Sequence, residues 1–238
     1  MEPEPEPEPL ENSMVTKTKR KAGFLRGAMG RTDPVTAYLF VGGKASAQDK
    51  LHLQELGITH VINATANMAN AFPDLCTYLR VAVPDTEATN LARHFTKAVD
   101  FIDGARTAGG KVLVHCSAGM SRSVTLVLAY LLTCPNSSTG TPESIGGGDS
   151  AHSRPMRLLD AFRLVKSRRT IVAPNPAFMR QLCEYEMAEQ KRWNARGGGG
   201  GAGPAGLCPS LDIDKYAANR FGKCDSYVID LYQTTLDE

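Results

Sequence analysis

From Thr36 onwards, short apolar runs alternate with longer segments in which apolar residues recur every three or four positions. The strand-like runs are AYLFVGG, ITHVINA, TYLRVAV and KVLVH. The segments between them, SAQDKLHLQELG and ARHFTKAVDFIDGARTAGG, have helical spacing. Because strands alternate with helices, the pattern predicts an α/β fold with a central, mostly parallel sheet flanked by helices.

The first predicted helix carries signals at both of its ends. Ser46 precedes the apolar positions and is followed three residues later by Asp49, which predicts an N-cap at Ser46. Gly57 follows Leu56 and predicts that the helix ends on this glycine. In the second predicted helix, helical spacing places three apolar side chains on one face: Phe95, Val99 and Ile102.

One domain accounts for most of the chain. After KVLVH come the apolar helix SVTLVLAYLLT and two amphipathic helices, MRLLDAFRLVKSRR and NPAFMRQLCEYEMAEQKRW. We predict a domain over residues 34–195, in which the Ser-, Gly- and Pro-rich residues 135–155 form an inserted surface loop. The flanking segments carry too little apolar surface for a core, and we expect a disordered arm (1–33), a Gly-rich linker (196–206) and a C-terminal tail (207–238).

Composition and charge argue against nucleic-acid-binding and membrane-spanning classes of protein. The 238 residues carry a net charge of +2, which is too small for nucleic-acid binding through a broad basic field. No stretch is apolar over the roughly 18 residues that a membrane span needs, and we find no secretory signal. The six cysteines lack metal-ligand spacing, so we expect reduced thiols and a cytoplasmic location. The basic run KTKRK leaves nuclear import open, although such runs are more often solvated tails.

The chemically informative segment is VLVHCSAGMSRS, which contains an apolar strand, a loop that begins at Cys116 and a helix that begins at Arg122. Five residues between these two let the loop curl until its backbone N–H groups converge above the sulfur. Converging N–H groups and a helix N-terminus together attract phosphate. Gly119 can take the positive φ that such a turn requires. The expected phosphate-binding residues are Ser117, Ala118, Gly119, Met120, Ser121 and Arg122.

The same groups act on the Cys116 thiol. Backbone donors and a helix N-terminus favour the thiolate and lower the pKa of a cysteine, so we expect a nucleophile at this position. The planar guanidinium of Arg122 can hold two phosphoryl oxygens at once. The Ser123 hydroxyl is close enough in sequence to donate to the thiolate when it leaves. His115 ends a buried strand, and we expect it to orient its neighbours rather than to transfer a proton.

Displacement of an alkoxide by a thiolate also needs a general acid. Asp85 lies in the loop RVAVPDTEATN that follows a predicted strand, from which it could swing over the phosphate loop. Glu87 in the same loop is the main competitor. Asp74, Asp100 and Asp103 also lie upstream of the cysteine. Asp100 and Asp103 belong to a predicted helix, where they are more simply solvent-exposed residues. We therefore predict Asp85 as the acid.

The segment HCSAGMSRS, with an aspartate loop about thirty residues upstream, resembles the dual-specificity branch of the cysteine-dependent protein tyrosine phosphatases. The resemblance covers about residues 36–193. The segments VINATAN, LLDAFRLVKSRR and APNPAFMRQL are similar to the small atypical members, which consist of the catalytic domain alone.

This resemblance implies a phosphatase-type sheet of about five strands flanked by helices. It implies hydrolysis of phosphotyrosine and of phosphoserine or phosphothreonine with no metal and no cofactor. Its residue roles carry over to Cys116 as nucleophile, Arg122 as phosphate clamp, Asp85 as acid and Ser123 as the hydroxyl that assists the thiolate. Asn175, in the APNP turn, matches a family asparagine that we expect to brace the phosphate loop. The implied partners are phosphoproteins, with mitogen-activated protein kinases among the candidates.

Other functions remain as alternatives. A cysteine at the end of a buried strand is most often a small core residue, but the spacing to Arg122 and the upstream aspartate argue against this interpretation. A scaffold that binds phosphoproteins without turnover is a second function class. An inositol-lipid phosphatase would need more cations in the loop, and an RNA triphosphatase a larger net positive charge.

Overall fold

The computed structural model describes residues 27, 29–133, 155–196 and 213–219. Its centre is a sheet of five strands in the order β1-β2-β5-β3-β4. Strands β1 and β2 are antiparallel, and the other three neighbouring pairs are parallel. The strands are β1 (Thr32–Pro34), β2 (Leu39–Gly42), β3 (His60–Asn63), β4 (Thr77–Arg80) and β5 (Val112–His115).

Helices cover both faces of this sheet. The connections after β2 and β4 cross over to parallel strands, so they must pass across a face. The helices are α1 (Lys44–Ala47), α2 (Lys50–Leu56), α3 (Phe95–Thr107, preceded by a 3₁₀ turn, Ala92–His94), α4 (Arg122–Leu131), α5 (Leu158–Arg168), α6 (Pro176–Ala195) and α7 (Ile213–Asn219). The predicted α/β class with a mostly parallel sheet is therefore confirmed.

Alternation along the strands divides the core into two layers. Phe40 and Leu113 point to the smaller layer, which they share with Leu53 of α2. Val41 and Val114, one position further along, belong to the larger layer beneath the remaining helices. Every residue of α4 is buried, as expected for a helix that is apolar all round. The loop between β5 and α4 thus starts from the best-covered part of the molecule.

The N-cap prediction for the first helix is wrong. The segment forms two helices, and the carboxylate of Asp49 caps α2 by accepting a hydrogen bond from the His52 backbone N–H at 3.0 Å. Ser46 lies inside α1, where its buried hydroxyl donates to the Arg31 carbonyl at 2.9 Å. The predicted helix end at Gly57 is confirmed, with φ of 70°.

The folded domain begins earlier than the predicted boundary at residue 34. Thr32 and Asp33 pair with Gly42 and Val41 in the register of β1 and β2. The Asp33 side chain is buried in an ion pair with Arg169. A polar residue at this position therefore belongs to the folded domain, although polarity suggested a solvent-exposed arm. Short polar edge strands of this kind depend on tertiary partners and give no apolar alternation.

The C-terminal tail contributes one helix to the domain. Tyr216 of α7 is buried, its ring lies edge-on to Phe162 at 5.8 Å, and its hydroxyl donates to the Pro174 carbonyl at 2.6 Å. The rest of the predicted tail, nearly all of the predicted insertion and of the linker, and most of the predicted N-terminal arm lie outside the described residues.

Two negative findings apply to the part of the chain that the structure describes. None of its helices is both long enough and apolar enough to cross a membrane. Within these same ranges, no group of three or more His, Cys, Asp and Glu side chains could hold a metal ion.

Candidate active site

Cys116 lies directly after β5, the central strand, and so stands at the carboxyl edge of the sheet where ligands of α/β folds bind. The phosphate loop, residues 116–122, runs from this strand end into α4. Residues just past both neighbouring strands bond to the backbone where the loop begins. The Lys44 N–H donates to the Ser117 carbonyl at 3.0 Å, and the Ala64 N–H donates to the His115 carbonyl at 2.8 Å.

Gly119 makes the turn of this loop, and the prediction for this glycine is confirmed. Its φ of 70° lies in the left-handed region that favours glycine. A Cβ atom here would lie 2.5 Å from the Gly42 carbonyl oxygen and 2.6 Å from the guanidinium of Arg169. Any side chain would therefore push the loop away from the sheet and from the arginine beneath it.

The Cys116 thiol is buried and accepts hydrogen bonds from Gly119 and Ser123. The Gly119 N–H lies 3.2 Å from its Sγ, and the Ser123 hydroxyl lies 3.3 Å away. Burial by itself raises the pKa of this thiol, but the Ser123 hydrogen bonds, the charge of Arg122 and the Gly119 N–H outweigh it. The pKa of Cys116 is therefore lowered, as the sequence predicts. By contrast, burial raises the pKa of the Cys76 thiol, whose Sγ donates to the Ile58 carbonyl.

Arg122 is buried at the first position of α4 and reaches two other segments. One guanidinium nitrogen donates to the Val83 carbonyl at 3.0 Å, and the other donates to the Ser117 hydroxyl at 3.1 Å. Its Nε lies 3.4 Å from Oδ2 of Asp85, an ion-pair distance without hydrogen-bond geometry, so this buried N–H has no hydrogen-bond acceptor. Arg122 is thus held in place by Val83 and Ser117, with its Nε beside the Asp85 carboxylate.

Asp85 lies beside this arginine, held by two hydrogen bonds to the same oxygen. Its Oδ1 accepts from the Ser121 hydroxyl and from the Asn175 side-chain amide, each at 2.9 Å. The Asn175 backbone N–H donates to the Ser121 hydroxyl at 3.1 Å, which closes the triangle. The predicted acid is therefore already over the loop, and the expected brace from Asn175 reaches both the loop and the acid.

The competing carboxylates lie elsewhere. Glu87 is exposed further along the same loop, and Asp103 pairs with Arg106 on α3. Asp74 lines a surface hollow of about 510 Å³ where β3 and β4 begin, at the opposite edge of the sheet from Cys116. No lysine or arginine lines this hollow, so it lacks the cation that a phosphate site needs.

His115 is buried behind the loop. Its Nδ1 lies 3.4 Å from the Cys116 carbonyl oxygen, and burial lowers its pKa to about 4, with the charge of Arg80 acting in the same direction. The ring is therefore neutral near pH 7 and contacts the backbone of the cysteine rather than its sulfur. This geometry agrees with an orienting residue.

Arg169 holds the loop from beneath with the help of Asp33, and neither residue was among the predicted site residues. Arg169 is 2% exposed, and its guanidinium donates to the carbonyls of Gly119 at 2.6 Å and Ala118 at 2.9 Å. It also pairs with the buried Asp33 at 2.7 Å. One signal was present, because Arg169 comes directly after α5, four residues past the buried Val165, whose carbonyl accepts from the Arg169 N–H at 2.9 Å.

A further backbone bond ties the loop to the turn before α6. The Ala173 N–H donates to the Met120 carbonyl at 3.0 Å. The carbonyl oxygens of four successive loop residues thus accept hydrogen bonds from outside the loop, those of Ser117, Ala118, Gly119 and Met120. Carbonyls engaged in this way are withdrawn from the anion site.

A buried cysteine of lowered pKa, in a tight loop between the central strand and a helix that begins with an arginine, is the arrangement of the cysteine-dependent phosphatase class. A family model for the dual specificity phosphatase catalytic domain matches residues 39–141. Dual specificity protein phosphatase 1 of Arabidopsis thaliana is 39% identical over 152 residues, which cover 64% of this chain and 67% of that protein. The chain belongs to the dual-specificity phosphatase family.

Another curated relative is longer. Dual specificity protein phosphatase 2 of Homo sapiens is 38% identical over 152 residues, which cover 64% of this chain but 42% of that protein. The chain therefore spans less than half of the length of this human relative.

Solved structures agree with this assignment. DUSP15 is 31% identical with a TM-score of 0.57, covering 69% of this chain and 93% of that chain. Human DUSP28 is 30% identical with a TM-score of 0.56, covering 67% and 95%. A human tyrosine phosphatase-like serine/threonine/tyrosine-interacting protein is 34% identical with a TM-score of 0.53, covering 66% and 96%.

We predict that Arg169→Met lowers the free energy of unfolding by about 3–5 kcal/mol, because it leaves Asp33 buried without its main partner. Urea denaturation measures this change. Arg168→Met is the matched control, since this neighbouring arginine is exposed, and it should change stability by less than about 0.5 kcal/mol. Adding Asp33→Asn to Arg169→Met should recover part of the loss; equal losses for the two arginines would contradict the assignment.

We also predict that Ser123→Ala raises the pKa of Cys116, because the thiolate loses a hydrogen-bond donor at 3.3 Å. The measurement is the rate of iodoacetamide alkylation as a function of pH. The acidic limb of this profile should move to higher pH in the variant. An unmoved limb would mean that Ser123 does not stabilise the thiolate.

Proposed function

We propose that this chain is a protein phosphatase that hydrolyses phosphotyrosine and phosphoserine or phosphothreonine through a cysteinyl-phosphate intermediate. The observation that carries the proposal is the meeting of a buried Cys116 thiol of lowered pKa, the Arg122 guanidinium and the Asp85 carboxylate. The dual specificity names of the relatives support the same substrate class.

In the proposed first step, the Cys116 thiolate attacks the phosphorus atom while the bond from phosphorus to the side-chain oxygen breaks. Arg122 and the loop N–H groups bind the three equatorial oxygens, where negative charge is concentrated. The protonated carboxyl of Asp85 donates its proton to the departing oxygen. The products are the dephosphorylated side chain, a carboxylate at Asp85 and phosphate bound to sulfur.

In the proposed second step, a water molecule attacks the phosphorus and gives a proton to the Asp85 carboxylate. The bond between phosphorus and sulfur breaks, and inorganic phosphate leaves. Sulfur departs as a thiolate, and the Ser123 hydroxyl stabilises it with the hydrogen bond of 3.3 Å. This restores the ionised cysteine and the protonated acid, so the cycle needs neither a metal ion nor a cofactor.

The charge of the loop favours singly phosphorylated protein side chains over substrates that carry several phosphate groups. Arg122 is the single cation among the loop residues 116–122, whereas an inositol phosphate headgroup carries several phosphates. One phosphorylated side chain matches one guanidinium fork. We propose phosphorylated signalling proteins of the cytoplasm and nucleus as the substrates, mitogen-activated protein kinases among them.

We predict that Cys116→Ser lowers turnover of p-nitrophenyl phosphate by about 10⁴-fold or more, because a serine hydroxyl is not ionised in this site. Phosphate release measured in a coupled assay provides the test. Cys76→Ser, at a buried cysteine in the other core layer, is the matched control and should keep turnover. If Cys116→Ser retains activity, the nucleophile assignment fails. A wild-type chain that binds phosphopeptide without turnover would instead identify a binding scaffold.

We predict that Asp85→Asn slows substrates in proportion to the basicity of the leaving oxygen. General acid catalysis contributes about 10²–10⁴-fold, and this contribution falls for activated aryl esters. The amide keeps an acceptor for Ser121 and Asn175, so the loop should stay in place. The measurement is kcat/KM, which reports the first step, for alkyl phosphates, phenyl phosphate and strongly activated aryl phosphates.

Glu87→Gln provides the control for this series, because Glu87 is exposed in the same loop. It should leave the dependence on the leaving group unchanged. If Asp85→Asn instead lowers the rate by the same factor for all substrates, Asp85 is structural, and Glu87 becomes the next candidate for the general acid.

A further inference from the structure

The loop that carries Asp85 is bound to α6 at a second point, six residues past the aspartate. The Oε1 atom of Gln181 accepts hydrogen bonds from the backbone N–H groups of Leu91 and Ala92, both at 2.8 Å. The Nε2 atom of the same side chain donates to the Thr89 carbonyl at 2.9 Å. One half-buried amide thus satisfies three backbone groups of an irregular segment.

Thr89 extends this attachment to both neighbours of the aspartate. Its hydroxyl bonds with the Thr86 hydroxyl at 2.8 Å and donates to the Pro84 carbonyl at 3.1 Å. Its backbone N–H donates to the Thr86 carbonyl at 3.1 Å. Pro84 and Thr86 flank Asp85 in the chain, so a fixed Thr89 fixes the backbone on either side of the acid.

The other attachment is also on α6. Asn175 caps this helix by accepting from the Phe178 N–H at 2.9 Å, and its amide donates to Asp85. Asn175 and Gln181 are six residues apart, which is about 9 Å along the axis of a helix. A single rigid element therefore holds the acid at one end of the loop and the residues after it at the other end.

We infer that Gln181 is a positioning residue for the general acid, which it keeps over the phosphate loop before any substrate binds. The inference rests on the proposed function, because it assigns Gln181 a role in the proton transfer by Asp85. Without Gln181, the backbone groups of Thr89, Leu91 and Ala92 form hydrogen bonds with water instead. The loop then samples positions in which the Asp85 carboxyl is too far from the departing oxygen. Displacements of about 1 Å can cost 10²-fold in rate.

The predicted kinetic effect is selective. Arg122 and the loop N–H groups do not depend on Gln181, so KM should stay within about 2-fold. Gln181→Met should lower kcat/KM by about 10-fold for phenyl phosphate, whose leaving oxygen needs a proton, and by less than about 2-fold for a strongly activated aryl phosphate. For phenyl phosphate, the loss in Gln181→Glu should be smaller than the loss in Gln181→Met. The glutamate keeps the oxygen that accepts from Leu91 and Ala92, but it sets a carboxylate oxygen against the Thr89 carbonyl.

The matched control is Gln190→Met on the same helix, where the side chain contacts Asn194. It should leave kcat/KM for both substrates unchanged. The decisive comparison combines Gln181→Met with Asp85→Asn. Because both changes act through one proton transfer, the double variant should show no further loss beyond Asp85→Asn. A uniform loss for all leaving groups, or an additional loss in the Asp85→Asn background, would overturn the inference.

A second readout separates this inference from the proposed function. Amide hydrogen exchange of residues 86–92 should be faster in Gln181→Met than in Gln190→Met, whatever the reaction. If the wild-type chain lacks Cys116-dependent turnover, the proposed function fails, and this exchange measurement still decides whether Gln181 anchors the loop. Unchanged exchange would reject the anchoring itself.

Thr89→Val provides a variant that spares α6 should Gln181→Met not fold. It removes the hydroxyl that reaches Pro84 and Thr86 but keeps the carbonyl that Gln181 binds. It should reproduce the selective loss for phenyl phosphate, and Thr89→Ser should restore the rate. If the wild-type chain, Thr89→Val and Thr89→Ser hydrolyse phenyl phosphate at equal rates, Gln181 does not position Asp85 through Thr89.

Discussion

An anion site made of backbone N–H groups requires that the carbonyl groups of the same loop point elsewhere and find partners there. In this protein, Arg169 meets that requirement. The Gly119 N–H lies at the sulfur of Cys116, while the carbonyl of the same residue accepts from the Arg169 guanidinium. Because this arginine is buried, its charge needs Asp33, which brings strand β1 into the domain. The loop, the sheet edge and α5 are thereby one hydrogen-bonded unit.

The other side of the site depends on α6. Its N-cap, Asn175, contacts Asp85 and, through its backbone, Ser121 of the phosphate loop. Gln181, two turns along the helix, binds the end of the acid loop. Cys116 and Asp85 are thus positioned by different helices that meet through one serine, Ser121. Tyr216 of α7 adds a hydrogen bond to Pro174, immediately before Asn175, so the docked C-terminal helix supports the same turn.

Local sequence signals predicted those features whose causes are local. Short apolar runs predicted four of the five strands. Strands β2, β3 and β5 are almost wholly buried, so they must be apolar, whereas β4 buries only Leu79. The five-residue spacing from Cys116 to Arg122 predicted a tight loop between strand and helix, and Gly119 marked its left-handed turn. The helix end at Gly57 followed from its backbone freedom, whereas the N-cap went to Asp49 instead of Ser46. Several Ser and Asp side chains can cap a helix, and only packing selects among them.

The sequence by itself determined the fold class and the places of Cys116, Arg122 and the Asp85 loop at the ends of strands and helices, because local patterns along the chain specify each of them. Tertiary structure alone decided which polar residues support that chemistry. Asp33 and Arg169 are 136 residues apart, and Thr89 and Gln181 are 92 residues apart. Partners at such separations leave no periodic pattern in the sequence, since a buried arginine or glutamine resembles an exposed one until the fold brings its acceptors to it.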